Sequence, residues 1–330
     1  MKTFDYVRTD DVSEARQQAS KPATKFLAGG TTLLDLMKCG VERPARLVDI
    51  SRLRGLSEIN LDDRRIRIGA TAKMSQVAAD AQIKKKAPVL SEALWRAASP
   101  QLRNMASIGG NLLQRTRCSY FRDPAAYPAC NKRSPGSGCA ALDGVNRQHA
   151  VLGASEACIA IYPGDLAVAL VAFDATVRIR GNTERTVLAD DFYRLPGLTP
   201  QIEHDLSPGE MIIEIDVPIV PALKHSHYLK VRDRASYEFA AASAAVGIEL
   251  ESDGRTIRDV RIALGGVGTK PWRARAVEQA LIGKTFSEPM LREAAKHSID
   301  GAEAREHNGY KITLAPRVVA RALMTAGGLA

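Results

Sequence analysis

With 330 residues, 45% apolar and 25% charged, the chain is long enough for two or three domains with ordinary cores, and it needs no disulfides to hold them. A net charge of +9 raises nucleic acid as a partner, but the basic residues are scattered and aromatics make up only 5%, so no nucleic-acid binding is expected. The opening MKTFDYVRTDDVSEA lacks the apolar centre of a secretory signal, and no apolar run is long enough to span a bilayer, so neither self-export nor membrane insertion is expected.

Taken in chain order, residues 25–28 read as a short strand and 31–38 as a helix with Leu33, Leu34 and Met37 on its buried side. Strands follow at 47–50 and 65–68, then helical patterns at 75–82 and 89–98. Lys84, Lys85 and Lys86, just before Pro88, read as a solvated helix end. Further on come a helix at 165–173, strands at 175–180 and 211–217, the second stopped by Pro218, and a linker at 219–224. Beyond it lie strands at 227–231, 241–250 and 258–264 and helices at 274–281, 288–297 and 314–324, the order expected of an α+β domain. No internal repeat is present.

KFLAGGTTLLDL sets Gly29 and Gly30 between a strand and a helix. Glycine there permits positive φ and lets backbone approach a ligand, and the N–H groups of such a turn favour a phosphate. Thr31 and Thr32 can cap the helix or donate hydroxyls, and a plain glycine turn with a threonine cap explains the segment equally well. ASIGGNLLQR supplies a second loop with Ser107, Gly109, Gly110 and Asn111, placed to take the other end of a pyrophosphate or the flavin beyond it. The Rossmann pattern G-x-G-x-x-G is absent, and the glycines at 265–268 read as a turn without a phosphate role.

Four of the five cysteines, Cys118, Cys130, Cys139 and Cys158, fall in an irregular Gly/Pro/Arg-rich stretch and its downstream edge. Four thiolates suit an iron–sulfur cluster or a structural zinc, two disulfides are also open, and the long spacings do not choose among them. Cys39 reads as a packed free thiol. The histidines show no ligand spacing: His225 and His227 alternate on a strand, and His149, alone in the cysteine region, reads as structural or surface. No Ser/His/Asp set or carboxylate pair stands out, so no catalytic residue is expected in this chain.

The segments KFLAGGTTLLDLMK, ARLVDISRL, RIRIGATAKMSQVA, LRNMASIGGNLL, PGDLAVALVAFDATVRI, SPGEMIIEIDVP, YLKVRDRASYEFAAASAAV and RIALGGVGTKPWRA, in this order, resemble the FAD-binding subunits of molybdenum-dependent hydroxylases, the xanthine dehydrogenase and carbon monoxide dehydrogenase group. The resemblance implies an α+β fold: a two-lobed FAD-binding domain of the vanillyl-alcohol-oxidase (PCMH) type over 1–220, with lobes at about 1–55 and 56–220, and a small α+β carbon monoxide dehydrogenase flavoprotein-like domain over 225–330. The cysteine insertion at 115–160, where ordinary members have a short connection, is similar to that of the periplasmic aldehyde oxidoreductase branch, whose flavin subunit carries an extra [4Fe-4S] cluster. A flavin-subunit cluster also occurs in 4-hydroxybenzoyl-CoA reductase.

By this resemblance Phe26, Leu27, Ala28, Gly29, Gly30, Thr31, Thr32, Leu33 and Leu34 would wrap the FAD pyrophosphate, and Ser107, Gly110 and Asn111 would form the second contact. Asp165 would bind the polar chain of the flavin, with a helix N-cap as the plainer reading. Ile212 would lie against the adenine or simply fill strand core. Lys230 would stand near the flavin ring, the alternative being a solvated strand lysine. Cys118, Cys130, Cys139 and Cys158 would ligate the cluster.

The function implied is electron transfer within a molybdenum-dependent aldehyde oxidoreductase. A large molybdenum-cofactor subunit would oxidise aldehyde to carboxylic acid, a small subunit would carry [2Fe-2S] clusters, and this chain would pass the electrons to an external acceptor, the three forming a heterotrimer. Co-export to the periplasm with a signal-bearing partner is expected, with the cytoplasm as the alternative. Other readings are the flavin subunit of a xanthine dehydrogenase or 4-hydroxybenzoyl-CoA reductase type enzyme, a free-standing flavin oxidase, and a zinc-stapled basic nucleic-acid-binding protein.

Overall fold

The computed structural model describes residues 1–329. Near the N-terminus, strands β1 (Asp5–Arg8), β2 (Thr24–Leu27) and β3 (Arg46–Asp49) form a parallel sheet in the order β1-β3-β2. Parallel strands need crossovers, and the helices Val12–Ala19 and Leu33–Lys38 supply them. Asp11 starts the first of these, its carboxylate accepting from Glu14 N at 2.8 Å.

The second sheet is antiparallel: β4 (Ile59–Leu61), β5 (Arg65–Gly69), β6 (Thr176–Arg180), β7 (Glu184–Leu188) and β8 (Met211–Pro218), ordered β4-β5-β8-β6-β7. Alternation decides its faces, apart from a bulge in β8 at Ile213. Ile66, Ile68, Val177, Ile179, Ile215 and Val217 are buried on one side, while Arg65–Asp216 and Arg178–Glu214 ion pairs line the other. Against the apolar face pack the helices Met74–Ala79, Ala81–Lys86, Pro88–Arg96 and Leu166–Ala172. The single helix expected at 75–82 is two: Asp80 accepts from Gln82 N and Ile83 N, both at 2.9 Å, so it ends one helix by starting the next. A carboxylate serves a helix better as N-cap than as interior residue.

The third sheet, also antiparallel, runs β12 (Trp272–Arg273), β11 (Ile257–Gly265), β10 (Ala242–Leu250), β9 (Ser226–Val231). The helices Arg275–Leu281, Glu288–Ala295 and Tyr310–Ala326 cover one face. Tyr310–Ala326 begins before the expected 314 because Lys311, a charged residue that breaks the apolar stripe in the sequence, is fully buried. The segment at 219–224 is not a free linker: it holds the short helix Pro221–Lys224 with Ala222 and Leu223 buried. All seven residues of Leu166–Ala172 are buried, because this helix is wedged between the second sheet's helices and the third sheet, and Leu223, Tyr228, Ala245 and Ala263 join its core. Among the described residues no helix is long and apolar enough to cross a membrane.

Candidate functional site

The first glycine loop leaves β2 and enters the helix Leu33–Lys38, and every residue from Phe26 to Leu34 is half-buried. Gly30 has φ +71°, a conformation that a β-carbon disfavours. Gly29 is required for another reason: a Cβ there would lie 2.1 Å from the Met105 carbonyl oxygen, so the two glycine loops are in backbone contact. Lys73 Nζ donates to that same oxygen at 3.0 Å. Thr32 stands at the N-cap position, yet its side chain makes no cap bond, contrary to the expected threonine cap.

The second loop opens the helix Ile108–Leu112, with Ser107 Oγ accepting from Gly110 N at 3.2 Å. The segment after β5 straps it in place: Met74 N donates to Ala106 O at 3.0 Å, Ile108 N to Ala72 O at 2.9 Å and Gly109 N to Ala70 O at 2.8 Å. Gly110 is exposed, and a Cβ there would meet only Ser107 Oγ, at 2.9 Å. Asn111 Oδ1 is buried with no donor from the chain. An acceptor oxygen without a donor, beside two touching glycine backbones and a nine-residue half-buried cradle, fits a long ligand rich in hydroxyl and phosphate groups, as FAD is.

Asp165 occupies the N-cap position of Leu166–Ala172 but does not cap it. Its Oδ2 accepts from Lys230 Nζ and its Oδ1 from the Tyr228 hydroxyl, at 2.8 and 2.7 Å, and the Tyr228 oxygen also lies 3.0 Å from Ser243 Oγ. Lys230 Nζ donates further to Arg96 O at 3.2 Å. Side-chain exposures of 1% and 6% make Lys230 and Asp165 a buried pair, so the solvated lysine is excluded. Burial pushes the Asp165 carboxyl up, and the Lys230 ammonium works against that shift. Ile212 is buried in β8 opposite Ile179, within the main core, and the neighbouring Ile213 O accepts from Ala70 N at 3.0 Å. Sequence reasoning missed Tyr228 and the 70–74 strap; the inward alternation of β9 was the available signal for Tyr228.

Cys118, Cys130, Cys139 and Cys158 all line one small cavity, with Tyr120, Phe121 and Lys132 among its walls. Cys130 and Cys139 face each other across an isolated antiparallel bridge, and all five cysteines are free thiols. Burial pushes the Cys118 thiol up to about 12, opposed by the Phe121 N–H. Burial likewise raises Cys139 and Cys158, against the N–H groups of Ala141, Ile159 and Leu142 at the first and the Lys132 charge and Ala160 N–H at the second. Buried sulfurs ringed by amide N–H groups suit bound thiolates. No group of three or more His, Cys, Asp or Glu among the described residues is arranged to hold a single metal ion. Cys39, at the C-cap of Leu33–Lys38, does not line the cavity.

The cysteine cavity adjoins the flavin loops. Leu36, in the helix that follows the first glycine loop, packs with Phe121 and Cys130, and Asp35 in that helix is paired with Arg117 and Arg122. On another side Lys132 and Arg115 share Glu203, and Arg115 also reaches Glu42. His149, expected to be structural or surface, is buried with Nε2 3.2 Å from Cys118 Sγ. Burial, then the Lys311 charge, pushes its imidazole down to about 4.

Residues 2–220 match the family described as FAD binding domain in molybdopterin dehydrogenase, and residues 227–326 match the CO dehydrogenase flavoprotein C-terminal domain. The chain belongs to the molybdopterin dehydrogenase flavin subunits. This flavin subunit is 46% identical, over 99% of both chains, to the aldehyde oxidoreductase FAD-binding subunit PaoB of Escherichia coli K12. It is 29% identical to the glyceraldehyde dehydrogenase medium chain of Sulfolobus acidocaldarius, over 93% of this chain and 91% of that one. Its fold matches a chain of the solved carbon monoxide dehydrogenase of Hydrogenophaga pseudoflava with a TM-score of 0.76 and 28% identity, covering 99% of this chain and 98% of that one. The flavin subunit is therefore an oxidoreductase component with a mixed α+β fold, as the sequence implies.

Proposed function

We propose that the chain is the FAD- and [4Fe-4S]-carrying electron-transfer subunit of a molybdenum-dependent aldehyde oxidoreductase, assembled with a large molybdenum-cofactor subunit and a small [2Fe-2S] subunit. The observation that carries this reading is the four-cysteine cavity built into a flavin-subunit scaffold and packed, through Leu36, on the helix of the first glycine loop. The likeness to the aldehyde oxidoreductase subunit over the whole chain supports the substrate class.

Bound FAD would supply the conversion between single electrons and a transferred pair. The backbone of Phe26 to Leu34 and of Ser107 to Asn111 would hold its pyrophosphate and ribityl chain, with Asn111 Oδ1 accepting a hydrogen bond from a hydroxyl. Gly110, open to solvent at the loop surface, leaves room for that approach. The Lys230–Asp165 pair would fix the helix Leu166–Ala172 beneath the flavin chain and keep a cation in the wall of the site. A [4Fe-4S] cluster would supply a one-electron relay on Cys118, Cys130, Cys139 and Cys158. Four cysteines lining one small cavity supply the number of thiolates that such a cluster takes. A zinc-stapled nucleic-acid-binding protein leaves both glycine loops without a purpose.

The test is a complex purified without this chain. Aldehyde should still reduce its molybdenum centre anaerobically, while turnover with the external acceptor stops; undiminished turnover would overturn the reading. Its place in the cell follows as part of the same proposal: the folded chain is co-exported to the periplasm with a signal-bearing partner. Deleting that partner's signal should strand this chain in the cytoplasm, and a periplasmic chain in that strain would contradict the route.

A further inference from the structure

His149 has no task in the function described above, yet its placement is over-determined. The residue is 5% exposed, with Nε2 3.2 Å from Cys118 Sγ and Nδ1 buried without any partner. Its backbone N donates to Asn146 O at 2.9 Å, and the next residue, Ala150, donates to Ile159 O at 2.9 Å, one position past Cys158. Asn146 Oδ1 in turn accepts from His307 N at 3.0 Å, in the segment before the last helix. The backbone that carries the imidazole is thus tied into the cysteine loop on both sides and, through Asn146, to the C-terminal domain, and the ring is aimed at one sulfur.

A buried ring nitrogen without a partner costs about 1–3 kcal/mol, so packing alone is a poor reason to keep histidine here. A cysteine that ligates a cluster is a thiolate and only accepts hydrogen bonds. Whatever the charge of the ring, the nitrogen that faces Cys118 must then carry the hydrogen. Hydrogen bonds to cluster sulfurs stabilise the more negative, reduced state and raise the potential.

We propose that His149 is a positioning residue for the cluster: its Nε2–H donates to Cys118 Sγ and raises the reduction potential of the [4Fe-4S] couple. The proposal rests on the cluster assignment made above. The couple remains a one-electron couple and no proton changes hands; the hydrogen bond only strengthens as negative charge on sulfur grows.

The experiment uses the purified complex. Iron content and the cluster's spectrum are measured first, then its midpoint potential by redox titration followed by electron paramagnetic resonance, for the wild type, His149→Leu and His149→Gln. Glutamine keeps an N–H near the position of Nε2; leucine does not. With iron retained, His149→Leu should shift the reduced-to-oxidised ratio at fixed potential about tenfold toward oxidised, about 59 mV more negative for one electron. His149→Gln should recover most of that shift. An unchanged potential in His149→Leu, a His149→Gln as low as leucine, or loss of iron from both variants would each overturn the proposal. A wild-type complex without a cluster signal would instead remove the cluster assignment itself, and that is seen before any variant is made.

Discussion

Asn111 and Lys230 show how differently two residues of one candidate site answer to substitution. Because Asn111 Oδ1 has no donor in the chain, Asn111→Leu removes an unmatched acceptor from the flavin-free protein and only a 3.5 Å contact from Nδ2 to Met74 Sδ. The flavin-free Asn111→Leu subunit should melt no lower than wild type yet bind FAD at least tenfold more weakly, as read by thermal unfolding and flavin titration. Unaltered FAD affinity would detach Asn111 from the site. Lys230 behaves oppositely: Lys230→Met strands a buried Asp165 carboxylate and should cost about 3–5 kcal/mol. Adding Asp165→Asn to it should restore at least half of that loss in denaturant unfolding. Activity lost in a Lys230 variant alone therefore says little about the flavin. Both positions were legible in the sequence as site candidates, but the partnership of Lys230 with Asp165 was not, since 65 residues separate them and only the packing of the third sheet against the helix Leu166–Ala172 brings them together.

At the scale of elements, β3 carries the pH response of the first lobe. Burial would raise the Asp49 carboxyl, but hydrogen bonds from the Tyr6 hydroxyl, Ser51 and Arg8 outweigh it and hold the group down at about 2. A depressed carboxyl stabilises the fold above its ordinary value of 3.8, and the contribution is lost as pH falls from there through about 2. With the half-exposed Arg8 screened by solvent the effect should be about 1 kcal/mol. Acid unfolding of wild type should steepen between pH 4 and 2, and Asp49→Asn should flatten that limb; parallel curves would contradict the assignment. In the cysteine loop, Cys130→Ser or Cys158→Ser should release iron from the complex, whereas Cys39→Ser, outside the cavity, should leave iron unchanged. The long strands β8, β10 and β11 were readable as extended apolar runs, most of whose residues are buried. Four-residue β1 was not, because half-exposed sheet edges of that length carry too little pattern. The helix Ile108–Leu112 was hidden by two internal glycines, and it forms because Ser107 caps it and the 70–74 strap holds it.

For the whole molecule, the two glycine loops and the cysteine cavity belong to one connected body. Gly29 touches Met105, Leu36 touches Cys130 and Phe121, and the C-terminal domain closes the far side through Lys230 on Asp165, through Asn308 Nδ2 on Ala150 O at 3.0 Å, and through Val267 O on Val151 N at 2.8 Å. The order of these parts along the chain was visible in the sequence; their convergence was not, because it depends on contacts between residues 65 to 158 positions apart. His149 is the clearest case, since a lone histidine has no spacing to betray a sulfur neighbour 31 positions earlier. The central claim is that one chain holds both FAD and a four-iron cluster. Its most direct test is a flavin and iron count on the purified complex, normalised to this chain. The account predicts one FAD per chain and four irons beyond those of the partner's [2Fe-2S] clusters, and an iron content no higher than those [2Fe-2S] clusters require would contradict it.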